Sequence, residues 1–517
     1  MEDISYQLSK RLILGEILAR HARKIPNKTA IVYEDKTFTY REFNARVNRL
    51  AHALLGEGIQ RGDKVAFVLY NGNEILECYF AAFKLGAVAV PLNYRLVSSE
   101  MEYVLGNCEA RVLIYDEEVA KTLANVDWTK TIVRKRVVVG SAGEYEGWLA
   151  GQSEAEPLVF LEEEDPAVIM YTAGTTGKPK GAVLTHKNFY VNTTNWIICS
   201  QVTEKDCWFG PPPLFHAAAF SGVMPHIFVG AKNIIARIYR PLDALKLIQQ
   251  EKVTGMVLIP TMWVDFLQLK ELDSYDTSSL IRCFSGGAIA PLEVKKQIIA
   301  RWGKLYDGFG QTEMCPNTTM LLPEDAIRKA TSVGKAMPNV EVRVVDDQER
   351  DVPVGEPGEI IYRGPTSMLE YYRAPEATAE AFKGGWFHSG DLVRMDEEGF
   401  VYVVGRKKDM IISGGENIYP AEIEDVLYAD SRILEAAVIG LPDPKWGENV
   451  VAVVVLKPGM QMTAEEVIEV CAQKLASYKK PKRVFFVEAL LKNTAGKIVK
   501  NQIRAHYVKE LGLQELK

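Results

Sequence analysis

The segment Tyr171-Thr-Ala-Gly-Thr-Thr-Gly-Lys-Pro-Lys-Gly-Ala-Val-Leu-Thr-His186 constrains this chain more than any other part of it. The apolar run Ala167-Val-Ile-Met-Tyr171 leads into it and reads as a buried strand. Gly174, Gly177 and Gly181, the hydroxyls of Thr172, Thr175 and Thr176, and Lys178 and Lys180 crowd the residues that follow. Glycine lets backbone amides approach phosphate oxygens, threonine adds donors, and lysine balances the charge. A strand that opens into such a loop suits a polyphosphate and points to a nucleotide site. The Walker A pattern ends in Gly-Lys-Ser/Thr, and Pro179, five residues after Gly174, breaks it. Composition alone leaves a flexible surface loop as the alternative.

A chain of 517 residues is too long for one core and calls for at least two domains. Its 47% hydrophobic and 25% charged residues are ordinary for a soluble globular protein. A net charge of −6 and a pI near 5.9 argue against nucleic acid as a partner, which would call for a basic face. Cysteines 78, 108, 199, 207, 283, 315 and 471 are scattered without a C-x-x-C pair, as expected of reduced thiols rather than a disulfide frame or zinc site. No apolar run reaches the roughly 18 residues of a membrane span. The start, Met1-Glu-Asp-Ile, lacks the basic and apolar regions of a signal peptide, so a cytoplasmic location is expected. The basic stretch from Lys10 to Lys24 leaves two readings open, a solvated helix face and peripheral contact with a bilayer. A homodimer is also left open.

Helix and strand patterns alternate along most of the chain. Residues 12–21 and 40–55 carry apolar side chains at helical spacing, and 64–70 reads as a buried strand. The alternation continues through 74–85, 88–91, 112–115, 242–250, 255–259 and 292–300, which argues for α/β layers with largely parallel sheets. Near residue 340 the character changes to turn-rich β segments at 340–345, 358–362 and 399–404. After Gly405-Arg-Lys-Lys-Asp409 a compact α/β pattern returns at 421–427, 436–439, 450–456, 464–475 and 484–487. The expected fold class is α/β. A large N-terminal domain, 1–407, has layered α/β subdomains and a β-rich, barrel-like part, and a small α+β domain follows at 408–517.

Further chemistry lies downstream. Leu305-Tyr-Asp-Gly-Phe-Gly-Gln-Thr-Glu-Met314 sets two glycines beside an amide, a hydroxyl and a carboxylate, but lacks the third glycine of a dinucleotide fingerprint. Trp386-Phe-His-Ser-Gly-Asp391 ends a glycine turn with a carboxylate, which accepts two hydrogen bonds at once and suits the paired hydroxyls of a ribose. Ile412-Ser-Gly-Gly-Glu-Asn-Ile-Tyr-Pro420 reads as a hairpin-like turn ahead of a helix. Ser477-Tyr-Lys-Lys-Pro-Lys482 is basic, and Lys492-Asn-Thr-Ala-Gly-Lys497 ends on a lysine.

The stretch from Tyr171 to Gly181 resembles the Tyr-Thr-Ser-Gly-Thr-Thr-Gly-x-Pro-Lys-Gly signature of the AMP-forming acyl-activating enzymes, with Ala173 in place of the usual serine. That superfamily comprises acyl-CoA ligases, amino-acid adenylation domains and luciferases. The later segments resemble its motifs in the same order, from Thr39-Tyr-Arg-Glu-Phe43 to Arg504, and the whole chain is most similar to bacterial medium- and long-chain fatty acyl-CoA ligases. The resemblance implies an ATP-dependent acid–thiol ligase that uses Mg²⁺ and coenzyme A, with a mobile C-terminal domain. It implies a phosphate loop of Thr172, Gly174, Thr175, Thr176, Gly177 and Lys180. It places the rest of the nucleotide site at Gly286, Gly287, Ala288, Asp307, Gly308, Phe309, Gly310 and Gln311, with Phe309 stacked on adenine. Thr312 would contact the α-phosphate, and Glu313 and Thr176 would hold Mg²⁺. Asp391 would take the ribose hydroxyls with support from Arg406, and Lys408 would be the hinge. Gly414 and Gly415 would line the pantetheine tunnel, and Lys480 and Lys482 would lie near the CoA phosphates. Lys497 would be the catalytic cation, a role whose loss costs roughly 10² to 10³ in rate. For Lys408, Lys480 and Lys482 an ordinary solvated lysine remains the alternative.

Three features bear on the acid. Pro213-Leu-Phe-His216 lacks the aspartate that amino-acid adenylation domains place after this phenylalanine, which argues against an amino acid. Gly310 stands where acetate-activating relatives carry tryptophan, and so reads as opening the channel. Ala217, Ala218, Ala219, Gly222, Gly286, Gly287 and Ala288 either line a deep apolar slot or let helices pack closely. His216 reads as a gate to that channel or as a satisfied structural histidine. The expected substrate is a medium- to long-chain fatty acid. Alternatives are an aryl or cinnamic-type acid, and a stand-alone adenylating enzyme that loads a carrier protein.

Overall fold

The computed structural model describes residues 11–141, 143–172, 178–287, 290–414, 416–492 and 498–513. The chain divides into two compact units, Met1–Val342 with Tyr362–Phe387, and Arg343–Ile361 with His388–Lys517.

The first unit is built on two sheets. Six strands of the nine-stranded sheet pair in parallel, in the order Leu305–Gly310, Arg282–Gly286, Gly255–Val257, Cys207–Phe209, Lys232–Ile235 and Thr29–Tyr33. Antiparallel strands close its two sides, Asn317–Leu321 with Lys335–Ala336 on one and Lys36–Thr39 on the other. The helices Pro241–Glu251, Pro260–Leu267 and Leu292–Trp302 connect successive parallel strands. They bury Leu245, Trp263, Phe266 and Ile298 against Met256 and Cys283 in one core. This is the βαβ logic expected from the alternating pattern. The expected strand 255–259 is shorter than its apolar run, because Pro260 opens a helix with Ile259 as its cap.

The seven-stranded sheet runs Glu370–Tyr371, Lys180–Thr185, Pro166–Thr172, Val88–Pro91, Lys64–Val68, Ala110–Asp116 and Lys135–Val139. Beside it, helix Tyr40–Gly56 starts at a capping box in which the Glu42 N–H donates to the Thr39 hydroxyl at 3.2 Å and the Thr39 N–H donates to the Glu42 carboxylate at 2.8 Å. Such a cap contributes about 1 kcal/mol. Phe43, Val47, Leu50 and Leu54 recur at helical spacing and are fully buried.

Helix Asn73–Leu85 is buried on every side, polar residues included. Its Glu77 accepts from Arg46 at 2.7 Å and from the Tyr145 hydroxyl at 2.7 Å. Its Lys84 ammonium donates to Asn44 and Asn48 at 2.7 Å and to Glu156 at 2.5 Å. Buried charge is tolerable only with partners of this kind.

In the second unit, Ile433–Asp443 pairs antiparallel with Gly447–Leu456 over its whole length, and Arg483–Phe486 runs parallel to the latter. Ala436 and Val438 face one core with Ile423, Leu427, Val467 and Cys471; Ala437 and Ile439 face another with Ile503 and Tyr507. Helices on both faces explain why the strand reads as a continuous apolar run rather than an alternating one. The expected turn at 412–420 is the antiparallel pair Ile411–Ser413 and Glu416–Ile418 ahead of helix Pro420–Tyr428. A separate five-stranded sheet contains the antiparallel pair Trp386–Met395 and Val401–Arg406. The first of these strands begins just before the unit boundary.

Candidate active site

In the first unit, the hairpin Pro166–Thr172 and Lys180–Thr185 sets Thr172 opposite Lys180. The short strand Glu370–Tyr371 adds to its free edge. The chain around that strand is locked in place: Tyr372 N–H donates to Gly181 O at 2.7 Å, Leu369 N–H to Val183 O at 2.9 Å, and Met368 N–H to Glu313 O at 2.7 Å. Glu313, 8% exposed, thereby comes to the hairpin end. Its Oε1 accepts from the Tyr371 hydroxyl at 2.8 Å and from the Thr172 hydroxyl at 3.4 Å. The Lys180 ammonium lies 5.2 Å from the centre of the Tyr371 ring. Thr172, Lys180 and Glu313 are thus brought together, with Tyr371, which sequence reasoning missed. No local signal marks Tyr371; only the pairing of its strand with a hairpin almost two hundred residues earlier brings it there.

Glu313 follows Thr312 in the helical turn Thr312–Met314, just past the strand Leu305–Gly310. That strand lies in parallel beside Arg282–Gly286, with Ser285 opposite Asp307 and Gly286 opposite Gly308. Ligands of α/β sheets bind outside such carboxyl ends. Gly286, Gly287, Gly308, Phe309 and Gly310 all lie there. The Ser285 Oγ and the Gln311 Oε1, buried at the same strand ends, have no hydrogen-bond partner among the described residues. Orphaned polar atoms of this kind fit a ligand that supplies donors and acceptors. Asp307 turns inward instead: its carboxylate pairs with Lys295 at 2.7 Å, both side chains nearly inaccessible, and burial pushes its carboxyl above the usual range against the pull of the ammonium.

Gly310 is glycine for a backbone reason. Its φ is +153°, and a Cβ there would sit 1.9 Å from the Pro316 carbonyl oxygen. A side chain at this position would strike the turn that follows, so the missing side chain is not what opens a channel. The small residues of helix Ala217–Val229 also divide. Ala218 is exposed, whereas Gly222 packs on the buried indole of Trp208, where a Cβ would meet the ring at 3.0 Å. A Cβ at Gly255 would meet the same ring at 3.1 Å, and His226 stacks on it at 4.2 Å. Close packing therefore accounts for Gly222. His216 caps that helix, its ring 4.5 Å from Phe215.

In the second unit, Asp391 is 4% exposed and its carboxylate pairs with the Arg406 Nε at 2.5 Å across the strand pair. Lys408 is exposed in the helical turn Lys407–Asp409. Gly414, at φ +61°, donates its N–H to the Trp446 carbonyl at 2.7 Å. Lys480 is half-buried and Lys482 exposed. Gly174, Thr175, Thr176, Gly177, Ala288, Gly415 and Lys497, with Ala173, lie outside the described residues. Among the described residues no group of three His, Cys, Asp or Glu side chains gathers at one point. A single carboxylate such as Glu313 still fits Mg²⁺, which is usually held by one or two carboxylates together with substrate phosphates.

The sequence matches the family described as AMP-binding enzyme over residues 18–372, and the AMP-binding enzyme C-terminal domain over 422–497. A feruloyl-CoA synthase from Amycolatopsis sp is 38% identical over 495 residues, covering 96% of this chain and 99% of the relative. The long-chain-fatty-acid–CoA ligase FadD13 of Mycobacterium tuberculosis is 37% identical over 508 residues, covering 96% and 98%. Among solved structures, the anthranilate CoA ligase AuaEII in complex with anthranoyl-AMP superposes with a TM-score of 0.90 at 29% identity, covering 97% and 98%. The chain belongs to the AMP-binding enzyme family. Within it, the chain is an AMP-forming acyl-CoA ligase, of the class that uses ATP, Mg²⁺ and CoA. No helix among the described residues is long and apolar enough to cross a membrane.

Proposed function

We infer that this ligase activates a compact aryl or cinnamic-type acid. The acid's carboxylate attacks the α-phosphorus of ATP, the bond to pyrophosphate breaks, and an acyl-adenylate forms. The thiol of CoA then attacks the acyl carbon and AMP leaves. The observation that carries the choice of acid is Trp208, whose fully buried indole fills the space beside Gly210, Gly222 and Gly255. With the indole in that volume, Gly222 adds no depth to an acid pocket, which favours a flat ring over an extended chain. Similarity to ligases named for ferulate and anthranilate supports the same reading. A medium- to long-chain fatty acid is the second reading, favoured by the 37% identical long-chain-fatty-acid ligase.

In this reading Thr172, Lys180 and residues 174–177 grip the phosphates, and Phe309 stacks on adenine. Gln311 and Ser285 offer their free polar atoms to the nucleotide. Glu313 and Thr176 would hold Mg²⁺, which when bound offsets the phosphate charge. Thr312 donates to the α-phosphate and Lys497 brings a cation to it, so the protein contributes position and electrostatics. Asp391 takes the ribose hydroxyls, its carboxylate steadied by Arg406. Residues 408–517 move about Lys408 between the two steps, with Gly414 and Gly415 serving the pantetheine arm and Lys480 and Lys482 the CoA phosphates.

Pyrophosphate release across a panel of acids tests the substrate class. Turnover of benzoates and cinnamates with none above hexanoate supports the aryl reading. The opposite pattern replaces it with the fatty-acid one.

A further inference from the structure

Behind the Asp391–Arg406 pair lies a carboxylate that touches neither residue. Glu359 sits in the strand Gly358–Arg363 and is 7% exposed. Its Oε1 accepts from the Gly390 N–H at 3.0 Å. Its Oε2 faces the Lys407 ammonium at 3.2 Å and the His388 Nδ1 at 3.4 Å. Gly390 immediately precedes Asp391, and Lys407 immediately follows Arg406. One buried group thus holds the neighbour of each member of the pair.

The point it grips lies inside the strand Trp386–Met395, one residue before Asp391. Gly390 is in the left-handed region at φ +70°. The Ser389 hydroxyl donates to Ile360 O at 2.5 Å and accepts from the Asp391 N–H at 2.9 Å. Glu359 and Ile360, adjacent on one strand, therefore anchor Gly390 and Ser389, and these set the course of the backbone into Asp391. On the other side Lys407 is shared between Glu359 and Asp347, the latter at 2.8 Å. Burial works against charge on Glu359, but the Gly390 amide, Lys407 and His388 outweigh it and hold the carboxyl below the usual carboxylate range. The clamp is charged at neutral pH.

We propose that Glu359 is a positioning residue for ribose recognition, fixing the backbone ahead of Asp391 through Gly390 and the Arg406 side through Lys407. This rests on the reading of Asp391 as the ribose ligand. A buried charged hydrogen bond fixes a left-handed glycine within a strand more firmly than packing does, because glycine itself imposes no preference.

The test compares kcat/KM for ATP and 2′-deoxy-ATP in the wild type, Asp391→Ala, Glu359→Ala and Glu359→Gln. Both nucleotides are measured on one preparation, so any loss of folded protein cancels from the ratio. Glu359→Ala should lower the preference for ATP about tenfold, the effect of one lost charged hydrogen bond, with KM for the acid unchanged. Glu359→Gln keeps an acceptor for Gly390 and should lose about threefold, a readout that remains if the alanine variant does not fold. A preference kept at the wild-type value in the folded Glu359 variants, but lost in Asp391→Ala, overturns the role of Glu359 alone. If the wild type uses both nucleotides equally, or Asp391→Ala leaves the preference intact, the ribose reading falls and this inference with it.

Discussion

The hydroxyl of Tyr371 donates to Oε1 of Glu313 across 2.8 Å, joining the short strand Glu370–Tyr371 to the helical turn Thr312–Met314. The same oxygen takes the weaker 3.4 Å contact from Thr172, so Tyr371 makes the stronger of these two hydrogen bonds. Tyr371→Phe removes that bond and keeps the ring beneath Lys180. Hydrogen bonds to charged groups contribute about 1.5–3 kcal/mol, so the Mg²⁺ concentration for half-maximal pyrophosphate release should rise about tenfold. Calorimetry of MgATP binding should weaken in step. An unchanged Mg²⁺ dependence would show that Tyr371 only packs.

Arg406→Met removes the Arg406 ion pair from the buried Asp391 carboxylate. Because Arg406 is itself half exposed, water replaces part of the loss, and the stability cost is about 1–2 kcal/mol, below that of a fully buried pair. The larger effect should be on KM for ATP, with KM for the acid little changed. Equal changes in both constants would indicate general disruption.

Buried histidines give a pH dependence with a definite sign. His186 and His226 are fully buried, and burial lowers each from 6.5 to about 4. The unfolded chain therefore binds protons that the folded one refuses between these values. Stability is full above pH 6.5 and declines as pH falls towards 4, by about 2 kcal/mol per histidine at pH 5. His226→Phe preserves the stack on Trp208, and the stability it loses between pH 7.5 and pH 5 in urea titrations should be smaller than for the wild type by about that amount. An identical pH loss in the variant would place the titrating groups elsewhere.

Gly310→Ala should cost about 3 kcal/mol or more, since the new methyl overlaps the Pro316 carbonyl in a position that allows no rotamer escape. Thermal melts read this directly. A variant as stable as the wild type would mean that the turn at Pro316 yields readily, and would restore the simpler idea of a side chain facing an open channel.

Much of the architecture was legible because periodicity reports burial. Runs such as 112–115 and 450–456 are strands, and the apolar stripe of 40–55 is a helix. Glycines and a carboxylate at 305–314 mark a strand end for the same local reason. The glycine turn expected at 386–391 is instead part of the continuous strand Trp386–Met395, because Gly390 is held in the sheet at a positive φ. What pattern could not show is contact made across the fold. Lys84 carries no local mark in the run 74–85, yet it is buried among Asn44, Asn48 and Glu156, residues 36 to 72 positions away. Tyr371 reaches Glu313 only because its strand adds to a sheet edge. Gly222 reads equally as pocket lining and as packing, and only the position of Trp208 separates the two.

The choice of acid is tested most directly by competition in one tube, with ATP, CoA, and ferulate and decanoate at equal concentration, reading the two CoA thioesters by mass at low conversion. Feruloyl-CoA should predominate at least tenfold. An excess of decanoyl-CoA would contradict the compact aryl pocket inferred from Trp208.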